Sequence, residues 1–445
     1  MKIRFTTLGC KLNFAESSAL GRELLSRGHQ RASLNETPDI CVVNTCSVTD
    51  AADHKDRQAI HQLHRKYPNA IIIVTGCYAQ LQPEQISQIE GVDYVLGQNE
   101  KYSIPKLVAT LESDAAKAAI GRAEPYGILD ATLMGEEEMR REGERVRVGA
   151  IREVEEFHGV HSGEDRTRCF IKVQDGCNYF CSYCTIPYAR GKSRNPKIEE
   201  VVKDAQEALN QGVKELIITG VNIGDFGRST GETFLDLLRA LEGLEPTGRD
   251  YRIRISSCEP NLLTDEIIDF VANSKHFAPH FHIPLQSGCN EMLKIMGRRY
   301  TRELFAERVQ HIRDVMPHAF IGVDCMVGVR GETEAYWEDY LAFIQKLDVS
   351  QLHVFTYSER ANTRMLEMDL YVVPKSERQR RSKILHQVSE EKTRAFYAKH
   401  AHRESSVLWE SKREGDQMAG FTDNYIKVYC PYDKAKINTF ELIKR

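Results

Sequence analysis

Residues 168–184 read RCFIKVQDGCNYFCSYC. A run of β-formers ends in a loop that carries Cys177, Cys181 and Cys184 in a C-x3-C-x2-C spacing. The first half predicts a strand, so the loop hangs from a strand's C-terminal end. The second half points to metal chemistry. Gly176, Asn178 and Ser182 are loop residues, and buried structural cysteines rarely cluster among such neighbours. A zinc site takes a fourth ligand and usually shows a second C-x2-C or a His pair downstream, and none follows at that spacing. Three thiolates on a four-iron cluster leave one iron open. An open position lets a small molecule reach the metal, as it does in catalytic zinc sites.

Working outward, ELIITGVN, YRIRISSCE, HFHIPLQ, AFIGVDCMVG and QLHVFTYS are further strand candidates. Helical stretches such as IEEVVKDAQEALNQG and TRELFAERVQHIRDVM lie between them. Six parallel strands with six helices predict an α/β fold, a partial (βα)6 version of a TIM-type barrel with its chemistry at the C-terminal strand ends. Polar residues at those ends, Asn222, Glu259, Gln286 and Asp324, are candidate cofactor or substrate contacts, and Gly220 in the same ITGVN strand end joins them. For each, a plain hydrogen-bonded strand end is the competing reading. His282, His311 and His353 read as packing or surface residues. Cys258, Cys289 and Cys325 read as core or cavity lining.

The first hundred residues repeat the alternation. KIRFTTLGC, DICVVNTC, AIIIVTGC and VDYVLG predict strands; AESSALGRELLSRG and TDAADHKDRQAIHQLHRKYP predict helices, the second capped by Thr49 or Asp50. Continuous β-branched runs between helices argue a Rossmann-like parallel sheet buried on both faces. Cys10, Cys46 and Cys77 each follow the end of a different strand, where open α/β sheets gather ligands. Gly9 and Gly76 precede two of them and allow tight turns beside a bulky group. Cys41, inside its strand, reads as core.

These pieces bound the organisation. At 445 residues the chain is too long for one hydrophobic core. The divisions expected are an N-terminal α/β domain over 1–112, a charged linker over 113–162, the barrel over 163–385, and a basic helix with a small β unit over 386–445. The helix itself is predicted over residues 375–403, with nine Lys/Arg against three Glu. It reads either as an RNA contact or as a solvated face. Hydrophobic residues are 41% and charged residues 28%, which suits a soluble globular chain. No apolar run has membrane-spanning length, and MKIRFTTLGC has no signal-peptide core. A cytoplasmic location is expected, where twelve cysteines are metal ligands or core residues before they are disulfides. The net charge of −4 does not advertise nucleic acid. Charge is nevertheless patterned locally, in a way that agrees with RNA contacts without establishing them: Arg190, Lys192 and Arg194 follow the cysteine loop, Arg298 and Arg299 follow the fourth barrel strand, and Tyr425 and Tyr429 interleave with basic residues in the tail.

The loop spacing resembles the radical S-adenosylmethionine (SAM) superfamily. The three-plus-three cysteines, in TLGCKLNFAES, VVNTCSVTDAA, VTGCYAQ and DGCNYFCSYCTIPYARGKSR, resemble its methylthiotransferase family. ITGVNIGDFG, RISSCEP, FHIPLQSG, MLKIMGRRY and VGVRGET extend the match, as does a C-terminal unit like the TRAM RNA-binding domain. The resemblance implies two [4Fe-4S] clusters, one on Cys177, Cys181 and Cys184 and one on Cys10, Cys46 and Cys77, in domains that face each other across a cavity. It implies SAM on the open iron of the barrel cluster, with Tyr183 against its adenine. Glu259 is expected to hold SAM ribose hydroxyls or a polar substrate group. Arg190, Arg194, Arg298 and Arg330 are candidate substrate contacts, and Arg298 or Arg330 is expected to fork a carboxylate. RISSCEP and TGVNIGDFG look most like the bacterial group acting on N6-threonylcarbamoyladenosine (t6A) 3′ of the tRNA anticodon. The alternatives are N6-isopentenyladenosine in tRNA, a ribosomal-protein aspartate, or a non-enzymatic iron–sulfur RNA-binding sensor. The expected partners are the anticodon stem-loop and an electron donor such as flavodoxin or ferredoxin, with no membrane and a monomeric chain. One departure stands out: Val329-Arg330 replaces the family's Phe-Pro before Gly-Glu-Thr.

Overall fold

The computed structural model describes residues 1–33, 35–113, 145–163, 167–245 and 250–444. The chain divides into two compact units, Met1–Glu155 with Thr185–Lys192, and Glu156–Cys184 with Ser193–Arg445.

The first unit is built on a parallel sheet of β1 (Lys2–Thr7), β2 (Gln30–Arg31), β3 (Ile40–Thr45), β4 (Ile71–Gly76), β5 (Tyr94–Leu96) and β6 (Val146–Arg147), in the order β2-β1-β3-β4-β5-β6. β3 and β4 are buried along their whole length. Their alternation divides two cores. Ile40, Val42, Ile71 and Ile73 pack with the helices Lys11–Ser26 and Ile104–Ser113. Cys41, Val43, Ile72 and Val74 pack on the opposite face with Ile60 of the helix Asp50–Lys66. This is the two-sided burial that the β-branched runs predict. Thr49 caps the second helix by accepting from the Ala52 amide (3.1 Å). The strand order reverses between β1 and β3, so their C-terminal ends open the crevice at which doubly wound sheets bind ligands.

The stretch expected as a linker is not all linker. Residues 114–144 lie outside the described residues, but Val146–Arg147 pairs with β5, and β7 (Val160–His161) pairs antiparallel with the first barrel strand.

The second unit carries the six predicted strands: β8 (Arg168–Lys172), β9 (Glu215–Thr219), β10 (Arg252–Ile255), β11 (His280–Gln286), β12 (Phe320–Val327) and β13 (Gln351–Thr356). All are parallel, in two hydrogen-bonded groups, β10-β9-β8 and β11-β12-β13, linked by single bridges such as Ser257 to His282. Thr233, Thr264, Thr301 and Thr333 each open a helix by accepting a backbone N–H three residues on. At the N-terminal strand ends, buried Glu215 meets Arg252 (2.6 Å), Arg254 (3.2 Å) and Arg168 (3.8 Å). These three cations hold its carboxyl well below the usual range despite burial.

The basic helix spans Lys375–Lys399, across the 385/386 boundary expected from the sequence. Its Ser389 bonds the backbone of Leu352 on the edge strand β13 (3.0 and 2.8 Å). Covering that edge is its first job. Much of its charge is spent inside the fold. Arg381 is buried on Glu332 (2.7 Å), Arg380 pairs with Glu334 (2.7 Å), and Lys392 donates to the Leu347 carbonyl (2.6 Å). The chain ends in an antiparallel sheet of β14 (Glu404–Glu414), β15 (Gln417–Thr422), β16 (Lys427–Pro431) and β17 (Phe440–Lys444), ordered β16-β15-β14-β17. Tyr425, expected to meet RNA, packs instead against His280, Phe320 and Phe421, whereas Tyr429 is exposed.

Candidate functional site

The barrel cysteine loop is held by one buried amide. Gln174 Nε2 donates to the carbonyls of Asp175 (2.9 Å) and Gly176 (2.8 Å) and to Ser193 Oγ (3.0 Å). Its Oε1 accepts from the backbone N–H groups of Val221 (2.9 Å) and Asn222 (2.8 Å). The side chain thus ties the loop after β8 to the end of β9. Gly220 serves this tie, because a Cβ there would lie 3.0 Å from both Gln174 oxygens. Asp175 pairs with Lys172 (2.7 Å) and Arg194 (3.4 Å), and its backbone bonds Arg194 in both directions (2.9 Å each).

Arg298 stands among the thiols. Its guanidinium donates to Cys181 Sγ (3.2 Å), to the Tyr183 hydroxyl (3.3 Å), to the Tyr300 hydroxyl (3.0 Å) and to the Glu259 carboxylate. Burial pushes the Cys177 thiol up to about 12 and raises that of Cys181, with Arg298 working the other way. Burial also raises the Glu259 carboxyl, although Arg298 pulls it down. Polar atoms around this loop stay unpaired: Asp225 Oδ2, Ser256 Oγ, Asn261 Oδ1 and Gln286 Oε1 are buried with no hydrogen-bond partner. Asn222 lies beside the Tyr179 hydroxyl, and neither atom of its amide completes a bond of normal geometry. Buried orphan groups cost about 1–3 kcal/mol each, so several at one set of strand ends imply a polar ligand.

In the first unit, Cys10 precedes the helix Lys11–Ser26, Cys46 follows β3, and Cys77 opens the short helix Cys77–Leu81. The thiols are neighbours. Burial pushes Cys46 up to about 12, helped by Cys77 and Cys10. A Cβ on Gly9 would meet Cys46 Sγ at 2.9 Å. Asn13 donates to the carbonyls of Leu8 (2.8 Å) and Thr45 (2.9 Å), which fixes the Cys10 turn against the end of β3. Behind Cys77 lies a buried charge group: Glu16 pairs with Lys101 (2.6 Å) and Arg190 (3.0 Å), and Arg190 also donates to Asn13 (2.8 Å). Gly76 sits at φ +101°, and a Cβ there would crowd the Thr45 carbonyl, Asn44 Oδ1 (2.6 Å) and Thr45 N (2.6 Å). Gly76→Ala is expected to cost about 1–3 kcal/mol from the backbone conformation alone, with the clash added. Faster hydrogen exchange at β3 and β4 amides is the expected readout.

Several predicted contacts stand elsewhere. Arg190, expected at substrate, is only 1% exposed and committed to Glu16 and Asn13. Arg194 staples the cysteine loop through Asp175 and the Glu156 carbonyl (2.9 Å). Arg330 pairs with Glu359 (2.9 Å). Arg298 is near the chemistry, but its fork is filled by Glu259 and Cys181. Asp324 bonds His282 (2.7 Å) and His353 (3.5 Å), so these two histidines are not mere packing, whereas His311 does pair at the surface with Asp269 (2.8 Å). Cys258, Cys289 and Cys325 are all buried in the barrel core. Sequence reasoning missed Gln174, Tyr179, Asn261, Glu16 and Lys101; each is an ordinary polar residue until its partners converge.

Residues 171–344 match the radical SAM superfamily, and residues 2–97 match the uncharacterized protein family UPF0004. The chain is 34% identical over 435 residues to the threonylcarbamoyladenosine tRNA methylthiotransferase MtaB of Bacillus subtilis, covering 96% of this chain and 89% of that one. With the enzyme of the same name from Aquifex aeolicus it shares 33% over 434 residues, 96% of each. The chain belongs to the radical SAM methylthiotransferase family. It is therefore an enzyme, a transferase. The tRNA-2-methylthio-N(6)-dimethylallyladenosine synthase of Alkaliphilus oremlandii is also similar, at 30% identity over 406 residues, 87% of this chain and 78% of that one. In fold, the radical SAM methyltransferase TsrM of Kitasatospora setae matches with a TM-score of 0.54 at 16% identity, over 80% of this chain and 74% of that one. Radical SAM membership implies a [4Fe-4S] cluster and SAM. The barrel loop fits them: three thiols, a cation beside one, and unpaired polar atoms at the neighbouring strand ends. No helix of the described residues is long and apolar enough to cross a membrane.

Proposed function

We propose that this enzyme replaces the C2 hydrogen of t6A, 3′ of the anticodon in tRNA, with a methylthio group. One SAM donates the methyl group and a second supplies the hydrogen-abstracting radical. The observation that carries the substrate is coverage. The relatives named for threonylcarbamoyladenosine span 96% of this chain, and those named for dimethylallyladenosine span 82–87%. With cluster and SAM bound, the chemistry available is one-electron cleavage of the sulfonium to methionine and a 5′-deoxyadenosyl radical. The protein's part is to hold, orient and shield. Cys177, Cys181 and Cys184 bind the cluster, Arg298 offsets thiolate charge at Cys181, and the unpaired amide oxygens of Asn222, Asn261 and Gln286 receive the polar parts of SAM or substrate.

Cys10, Cys46 and Cys77 are proposed to hold a second [4Fe-4S] cluster that serves sulfur insertion. Charge supports this reading. Glu16 is matched by two buried cations, Lys101 and Arg190, both close enough to Cys77 to work against the burial of its thiol. An oxidised cluster on three thiolates carries a net charge of about −1, and buried cations beside it would offset that charge. The tail sheet is proposed as a TRAM-like RNA contact, with Lys427 over the exposed Tyr429 ring (4.7 Å). The enzyme is proposed to act as a cytoplasmic monomer, taking its electron from flavodoxin or ferredoxin.

The test is anaerobic. Reconstituted enzyme, SAM, dithionite and bulk tRNA are incubated, and the nucleosides are read by mass spectrometry. The expected product is 2-methylthio-t6A. A 2-methylthio mark on isopentenyladenosine alone would move the enzyme to the other tRNA substrate.

A further inference from the structure

We propose that His282, Asp324 and His353 form a binding site for a divalent first-row transition metal ion inside the barrel, separate from both cysteine triads. The three side chains come from three adjacent parallel strands, β11, β12 and β13. Asp324 is paired in register with Pro284 on one side and His353 on the other, and His282 lies two residues before Pro284, on the same face of the sheet. One donor atom from each residue converges within 4.8 Å of the others. Both imidazoles address the same carboxylate oxygen, Asp324 Oδ1, through His282 Nε2 (2.7 Å) and His353 Nδ1 (3.5 Å). Their rings stand nearly perpendicular, at 86° with centroids 4.7 Å apart.

Two imidazoles and a carboxylate form the donor set of a facial metal triad. With bonds of about 2.0–2.2 Å, such donors stand roughly 3–3.5 Å apart around an ion, so the observed positions need only small rotamer shifts. The outer contact is present too. Ser257 Oγ meets His282 Nδ1 at 3.3 Å, on the ring nitrogen opposite the triad. A partner there fixes the ring and tautomer so that Nε2 faces the ion. The set contains no thiol, so it favours zinc, iron(II), cobalt(II) or manganese(II) over a soft ion.

The site is independent of the substrate assignment, and its test needs no turnover. Reconstituted full-length enzyme, its thiols occupied by clusters, is dialysed against cobalt(II), and cobalt and iron are counted together by mass spectrometry. The expected result is one cobalt per chain beyond cluster iron, with imidazole scattering in its X-ray absorption. His353→Ala, at a side chain 38% exposed and therefore tolerant, is expected to lower cobalt affinity at least tenfold with iron unchanged. Asp324→Asn should do the same. Cys289→Ser, in the other donor group of Cys289, Glu291 and Asp339, should leave retention intact. Wild type that retains no cobalt overturns the site, as does His353→Ala protein that retains as much as wild type. Either result would leave the triad as a hydrogen-bonded network.

Discussion

Cys181→Ala is expected to end SAM cleavage, lowering 5′-deoxyadenosine formation by roughly a thousandfold or more, about 4 kcal/mol in barrier. The thiol is buried beside Arg298, and its two partners sit on the same loop. Two thiols at that loop cannot hold a cluster in the orientation that leaves one iron open, and the guanidinium of Arg298 would lose its sulfur partner. Cys46→Ala is expected to give the opposite pattern. SAM cleavage should continue, uncoupled, and the methylthio product should vanish. The two variants are compared by counting iron, 5′-deoxyadenosine and 2-methylthio-t6A in one assay. Normal cleavage by Cys181→Ala sinks the barrel assignment. Methylthio product from Cys46→Ala overturns the division of work between the triads, and loss of both activities in Cys46→Ala would make that thiol structural.

Glu16→Ala is expected to be the most damaging single change away from a thiol. Glu16, Lys101 and Arg190 are all buried, and removing the carboxylate leaves two cations without their anion. Breaking a buried ion pair in this way costs about 3–5 kcal/mol. The loss should appear as faster hydrogen exchange across the helix Lys11–Ser26 and the short helix Ile186–Arg190, both in the first unit. Combining Glu16→Ala with Lys101→Met is expected to recover part of the stability, because one buried cation is left in place of two. If the double variant is no better than the single one, packing and not charge explains Glu16.

The placement of Arg190 shows how far sequence proximity misleads. It follows the barrel cysteines by six positions, yet its segment Thr185–Lys192 belongs to the first unit and its charge is consumed there. The basic helix misleads in the same way: its arginines are dense in sequence and largely paired in the fold. A charge read from sequence carries a sign and no partner, and partners come from residues far along the chain.

What the sequence determined by itself was local and periodic. Strand alternation, helix caps such as Thr49, and the spacing of Cys177, Cys181 and Cys184 are set within a few residues, so they were legible before any fold existed. The strand-end positions of Cys10, Cys46 and Cys77 were legible for the same reason, since a parallel sheet must bring such ends together. Only tertiary structure decided which polar side chains meet. Gln174 ties two strand ends, Glu16 gathers two cations, and Asp324 joins two histidines, each across tens of residues of chain. Those contacts depend on strand register and on which face a side chain takes, and a one-residue shift would undo them.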